Sequence, residues 1–201
     1  MDVHVSAVKK GRTYTLRRRA EQQAATRQRI VEATLDLHTR VGPAGTTLSM
    51  IAERAGVQRH TLYAHFPDER SLFLACSGLF ADRSPAPDPQ AWRGMADAAV
   101  RLRQGLAMIY AWYADNADLL SSVIRDAEHH ALTRETTTLR FAPLMAAYHE
   151  VLGDGLGAGQ RAMVGLALSF FTWRTLVREG GLAPEAAVDA MVRAIGEQPR
   201  G

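Results

Sequence analysis

Cys76 is the only cysteine in 201 residues. One thiol closes no internal disulfide and supplies no thiolate cluster for a metal, so the fold must be held by its apolar core. Its setting among Leu72, Phe73, Leu79 and Phe80 suits a buried small hydrophobe. Long hydrophobic runs are also missing. Arg, Glu or His interrupts every apolar stretch before about 18 residues, which excludes an evident transmembrane helix. Met1 to Gly11 lacks the apolar segment of a secretory signal, and a cytoplasmic location is expected. There is no nucleophile elbow, phosphate loop or paired metal motif. The chain is therefore expected to be no enzyme, with no catalytic residue, metal or cofactor.

The charge that is present is unevenly placed. The chain carries a net +3, but residues 1–76 carry +5 and residues 77–201 carry −2. Within residues 9–29, Lys9, Lys10, Arg12, Arg17, Arg18, Arg19, Arg27 and Arg29 face only Glu21. A basic end on a mildly acidic body suits a polyanion at that end, although a solvated tail has the same composition.

Residues 1–19 show no steady period and read as a flexible basic arm. From Ala20 the period is helical, with Ile30, Ala33, Leu37 and Val41 forming one apolar stripe. Gly42-Pro43-Ala44-Gly45 ends that helix. Thr46-Thr47 offers a cap for a short helix to Ala55, Gly56 breaks the chain, and a second short helix covers Gln58 to His65. Asp68 caps a fourth helix to about Ala81. Three prolines between Ser84 and Pro89 mark a boundary between a first helical unit, 20–82, and a second, 83–201. Further helices are expected over about 90–115, 118–128, 135–152 with a kink at Pro143, 160–178 and 184–196. Gly153 to Gly159 reads as a glycine-rich turn. The fold class is all-α, with about nine helices.

Two short helices joined by a tight turn must cross closely, and the residues suit that crossing. Ala52 is small at the contact, Gly56 suits a positive φ, and Ile51, Val57 and Leu62 fill the wedge, closed below by Leu37 and Phe66. Gln58, Arg59, His60 and Thr61 then point outward from the first turn of the second helix, where a recognition helix meets base edges. Arg59 suits guanine and Gln58 adenine. Tyr63 and His65 flank them, and Thr47 begins the preceding helix, within reach of phosphate.

The run Ile-Ala-x-x-Ala-Gly-Val-x-x-x-Thr-Leu-Tyr-x-His-Phe at residues 51–66 resembles the signature of the TetR family. Thr46-Thr47 before it and Ser71-Leu72-Phe73 after it fit the same pattern, which covers roughly residues 25–80. The resemblance implies a homodimeric repressor on a palindromic double-stranded DNA operator, released by a small-molecule effector. It implies base reading by Gln58, Arg59, His60 and Tyr63, and phosphate contacts from Thr47, Tyr63 and His65. The family often carries Lys where this chain has Glu69, so that contact passes to Arg70 or is absent. Its larger residues at 58 and 60 prevent transfer of any operator sequence. Glu69 also supports an alternative, a small-molecule-binding helical protein with a vestigial DNA module. In the light of the resemblance, the basic arm reads as a candidate for the minor groove.

The 160–178 segment is apolar almost all round and must be buried on every side, which a twofold copy would provide. Leu166, Phe171, Val188, Met191 and Ile195 are the expected dimer contacts. Trp112, Phe141, Phe170 and Trp173 are the expected lining of a pocket for an apolar or aromatic ligand, although each serves a core equally well. Asp126, Glu128, His129 and His130 cluster at a helix end. Adjacent histidines diverge by about 100° on a helix, and the cluster reads as a solvated turn.

Overall fold

The computed structural model describes residues 4–198, with the side chains of Tyr14 and residues 16–198. All regular elements among them are helical. In chain order they are α1 (His4–Arg40), α2 (Leu48–Ala55), α3 (Arg59–His65), α4 (Glu69–Arg83), a 3-10 turn (Pro89–Trp92), α5 (Ala98–Asp115), α6 (Ala117–Ala127), α7 (Ala131–Leu152), α8 (Ala158–Ala167), α9 (Phe170–Trp173) and α10 (Pro184–Gly196). No helix among the described residues is long and apolar enough to cross a membrane.

The buried apolar residues fall into two clusters. The smaller joins Ile30, Val31 and Ala33 of α1, Ile51, Ala52 and Ala55 of α2, Leu62 of α3, Phe66, and Leu72 and Cys76 of α4. The larger gathers α5, α7, α8, α9 and α10 around Leu106, Ile109, Tyr110, Leu152, Trp173 and Ile195. Gly105 lets α5 approach α7 closely; a β-carbon there would lie 2.5 Å from Leu152 Cδ2.

Helix α1 begins at His4, so the backbone of residues 4–19 is helical and not the irregular arm expected. The side chains of Lys9, Lys10 and Arg12 lie outside the described residues. Where one helix from 90 was expected, the 3-10 turn comes first and Asp97 then caps α5, accepting from the N–H of Ala99 at 2.8 Å and of Val100 at 3.1 Å. Pro143 does not end α7. It lies on the exposed side, where water can take the Leu139 carbonyl left without a donor.

The expected 160–178 helix is broken. Tyr110 Oη donates to Ala167 O at 3.0 Å and Tyr113 Oη to Leu168 O at 2.6 Å. Both buried hydroxyls, their ionisation pushed well above the usual tyrosine range by burial, terminate α8 by taking carbonyls that a continuous helix would use. The chain restarts as α9 and winds into a π-helical turn over Arg174–Glu179. Within the single chain the segment keeps an open apolar face, with Leu166 and Phe171 51% and 41% exposed.

Candidate nucleic-acid interface

Thr47 starts α2 with its hydroxyl accepting the Met50 N–H at 3.2 Å. Gly56 ends it at φ 64°, in the left-handed region, and the Val57 N–H returns to Ala52 O at 2.9 Å. This turn sets α3 across α2. Leu62 is the buried residue of α3, 2% exposed against Ile51 and Phe66, and it fixes which face points inward.

The opposite face carries the expected readers. Gln58 stands at the N-cap in an extended conformation, and its side chain makes no cap hydrogen bond. Gln58, Arg59 and His60 are exposed, while Thr61 is half-buried. Arg59 Nη2 donates to Tyr63 Oη at 3.3 Å, and its guanidinium lies 6.0 Å from the tyrosine ring centroid. Tyr63 thus holds Arg59 along the helix by a contact of about 0.5–1 kcal/mol at an exposed site, weak enough to yield to a guanine edge.

Among the expected phosphate contacts, Thr47 and Tyr63 are exposed and His65 is half-buried. Thr47, Arg59, Tyr63 and Glu69 line one cleft of about 410 Å³, floored by Ile51 and Phe73. Arg70 turns the other way, its Nε donating to Glu135 of α7 at 2.7 Å. Asp36 takes up Arg54 and Arg40, both at 2.8 Å, and the Arg54 hydrogen bond holds its carboxyl below the usual range. Glu32 pairs with Arg83 and accepts from Gln28. With those acids neutralised by partners, Arg27 remains 4.7 Å over Phe66 at the end of α3, and exposed Arg29 lines a cleft with Arg54 and Ala55 at the end of α2.

Asp126 and His38 join the two units, and neither was assigned this role from sequence. Asp126 is 2% exposed, not part of a solvated turn. Its Oδ2 accepts the Ala44 N–H at 2.9 Å, pinning the turn after α1 to the end of α6. Its Oδ1 accepts Arg125 Nε at 2.8 Å. Gly42, at φ 94°, makes room for this carboxylate, since a β-carbon there would lie 2.4 Å from Oδ2. Arg140 of α7 donates to Ser77 Oγ at 3.2 Å, and Ser122 Oγ to Thr39 O at 3.3 Å. His38 packs tilted against Phe73 with ring centroids 4.8 Å apart, and Phe73 against His130 at 5.9 Å. The Ala44–Asp126 partners stand 82 residues apart, beyond any local signal.

The expected ligand residues do not surround one cavity. Trp112, Phe170 and Trp173 are 8%, 5% and 1% exposed and pack into the larger core. Trp112 Nε1 also donates to Ser84 O at 3.1 Å. Only Phe141 of the four lines a cavity, at the junction of α1, α4, α6 and α7. Such aromatic residues supply most of the apolar area a core needs, so residue type alone does not separate a pocket from a core. Among the expected dimer contacts, Val188, Met191 and Ile195 are buried within the chain and packed toward α5 and α8, so they offer no surface to a partner. Leu166 and Phe171 remain outward, and Arg174 lies 5.0 Å from the Phe171 ring centroid.

Comparison with known proteins accords with this geometry. Residues 30–76 match the family described as bacterial regulatory proteins, tetR family. Over 184 residues the chain is 29% identical to the tetracycline repressor protein class A from transposon 1721 of Escherichia coli, covering 82% of this chain and 76% of that one. It is 42% identical over 57 residues to the HTH-type transcriptional regulator AcrR of Shigella flexneri, covering 28% of this chain and only 26% of that one. In fold it resembles a TetR-family regulator from Mesorhizobium loti, with a TM-score of 0.60 at 20% identity over 86% and 96% of the two chains. It also resembles the multidrug binding protein EbrR complexed with imidazole, with a TM-score of 0.57 at 19% identity over 83% and 93%. Residues 30–76 thus carry the helix-turn-helix unit of the tetR family of bacterial regulatory proteins, and the chain as a whole is similar to TetR-family transcriptional regulators.

Proposed function

We propose that the protein is a cytoplasmic, homodimeric repressor that binds a palindromic operator and is released from it by a small molecule. One observation carries the DNA reading: Gln58, Arg59 and His60 stand exposed on the first turn of α3, while Leu62 anchors its other face. Exposed Leu166 and Phe171 support pairing of two copies along α8 and α9, because apolar side chains of this size on adjoining helices favour a covered surface. A twofold pair would set two α3 helices into successive major grooves about 34–36 Å apart. Ligand would favour a spacing that no longer fits.

Selection from a random duplex pool tests this directly. The enriched sequences should be palindromes with half-sites about one helical turn apart, and affinity should fall steeply with salt as phosphate counterions are released. Enrichment of single half-sites would contradict the dimer, and no enrichment would contradict the operator. A second reading has one specific support. Glu69 lines the same cleft as Thr47 and Tyr63 and places a carboxylate on the phosphate path, as in a ligand-binding protein whose DNA unit is vestigial. Failure to retain any duplex at moderate salt would favour that reading.

A further inference from the structure

Helices α1 and α4 of the DNA-binding unit meet α6 and α7 of the body around a cavity of about 60 Å³. Leu35, Phe73, Phe80, Val123 and Phe141 are among its walls, and His38 of α1 lines it. His38 is 5% exposed, and its Nε2 has no hydrogen-bond partner. Its Nδ1 lies 3.8 Å from Cys76 Sγ. Burial keeps the imidazole neutral at pH 7 and the thiol protonated. With the thiol as donor to Nδ1, the imidazole proton lies on Nε2. The junction therefore holds a ring nitrogen without a partner at the wall of a mostly apolar cavity, and a buried donor without an acceptor is costly.

We propose that this junction is a binding site for a small neutral ring compound bearing one oxygen acceptor, with His38 Nε2–H as its polar anchor. Its regulatory meaning rests on the reading that a small molecule releases the operator. The walls are mostly apolar, the imidazole is neutral, and the lining cation, Arg140, is already taken up by Ser77 Oγ and Leu74 O, so a charged ligand would lose its hydration for little return. Size supplies the coupling. The cavity holds about two waters by their share of liquid volume, whereas an apolar cavity of about 150 Å³ accommodates benzene. A ring enters only if the walls part, and those walls belong to both units. Opening the junction moves α1 and α4 against α6 and α7, strains the Ala44–Asp126 and Ser77–Arg140 hydrogen bonds, and carries α2 and α3 along, since they pack on α1 and α4. Binding there favours a different placement of the recognition helix.

Acetophenone and ethylbenzene are similar in size, and only the first has a carbonyl oxygen. Calorimetric titration of the full chain should show acetophenone binding on the order of fivefold tighter or more. In His38→Met the ratio should fall to about one, and in His38→Gln, which retains an N–H donor, part of the preference should return. Val123→Phe fills the cavity from α6 and should abolish binding of both, which decides the matter even if His38→Met fails to fold. Equal affinities in the unaltered protein, a preference surviving in folded His38→Met, undiminished binding in Val123→Phe, or no binding of either compound would each overturn the site. Operator affinity, measured separately by fluorescence anisotropy, should fall as acetophenone saturates. A His38-dependent preference with unchanged operator affinity would support the site and refute release by ligand.

Discussion

Lowering the pH from 7 to 5 protonates His38 in the unfolded chain before it protonates it in the fold. Burial in the junction, opposed by the Asp126 charge and assisted by His130, lowers its pKa from the ordinary 6.5 to about 4. Between those values the unfolded state holds a proton that the folded state does not. The stability is therefore fully present above 6.5, declines as pH falls toward 4, and levels off below. The whole gap is worth about 3 kcal/mol, of which about 2 kcal/mol is lost by pH 5. That is a large share of the 5–15 kcal/mol typical of a folded domain, roughly. Urea unfolding at pH 7 and pH 5 reads this as a lower midpoint at unchanged slope. Asp36, Asp68 and Asp126, whose carboxyls are held below their usual range, titrate alike in the protein and in His38→Met. The difference between the two pH dependences therefore isolates the imidazole. Identical losses in both proteins would show that His38 is not buried neutral at the junction.

Three further substitutions test the scaffold. Leu62→Ala removes the anchor of α3 and should cost about 2–5 kcal/mol, with loss of operator binding although Leu62 touches no DNA; circular dichroism at rising urea checks the first, and anisotropy the second. Gly42→Ala meets both a left-handed φ and the Asp126 carboxylate. It should destabilise by about 1–3 kcal/mol, read from the urea midpoint. Tyr113→Phe frees the Leu168 carbonyl at the end of α8 and should cost about 1–3 kcal/mol; an unchanged thermal midpoint would show that the hydroxyl does not terminate the helix.

The DNA-binding unit was legible because its determinants are local. Gly56 at the turn, Thr47 and Asp68 at the caps, and Ile51, Leu62 and Phe66 in the wedge lie within two dozen residues and admit few alternatives. The body was legible as helices but not in its partnerships. Tyr110 and Tyr113 break the expected 160–178 helix from 57 and 55 residues away. Trp112, Phe170 and Trp173 have the composition of a pocket and the placement of a core. Val188, Met191 and Ile195 form an apolar stripe that faces either a partner or its own unit, and periodicity cannot distinguish the two. Asp126, grouped by sequence with neighbouring histidines, binds a backbone N–H from another unit. The start of α5 was missed, because one helix from about 90 was expected, although Gly94 and the capping Asp97 are ordinary boundary signals.

The central claim is that the first turn of α3 reads bases. Arg59→Ala should be compared with the unaltered protein on the selected operator and on a random duplex at the same salt. The account predicts a loss of about 1–3 kcal/mol on the operator, relaxed selectivity at one base pair, and a much smaller loss on random DNA. Equal losses on both duplexes would contradict it.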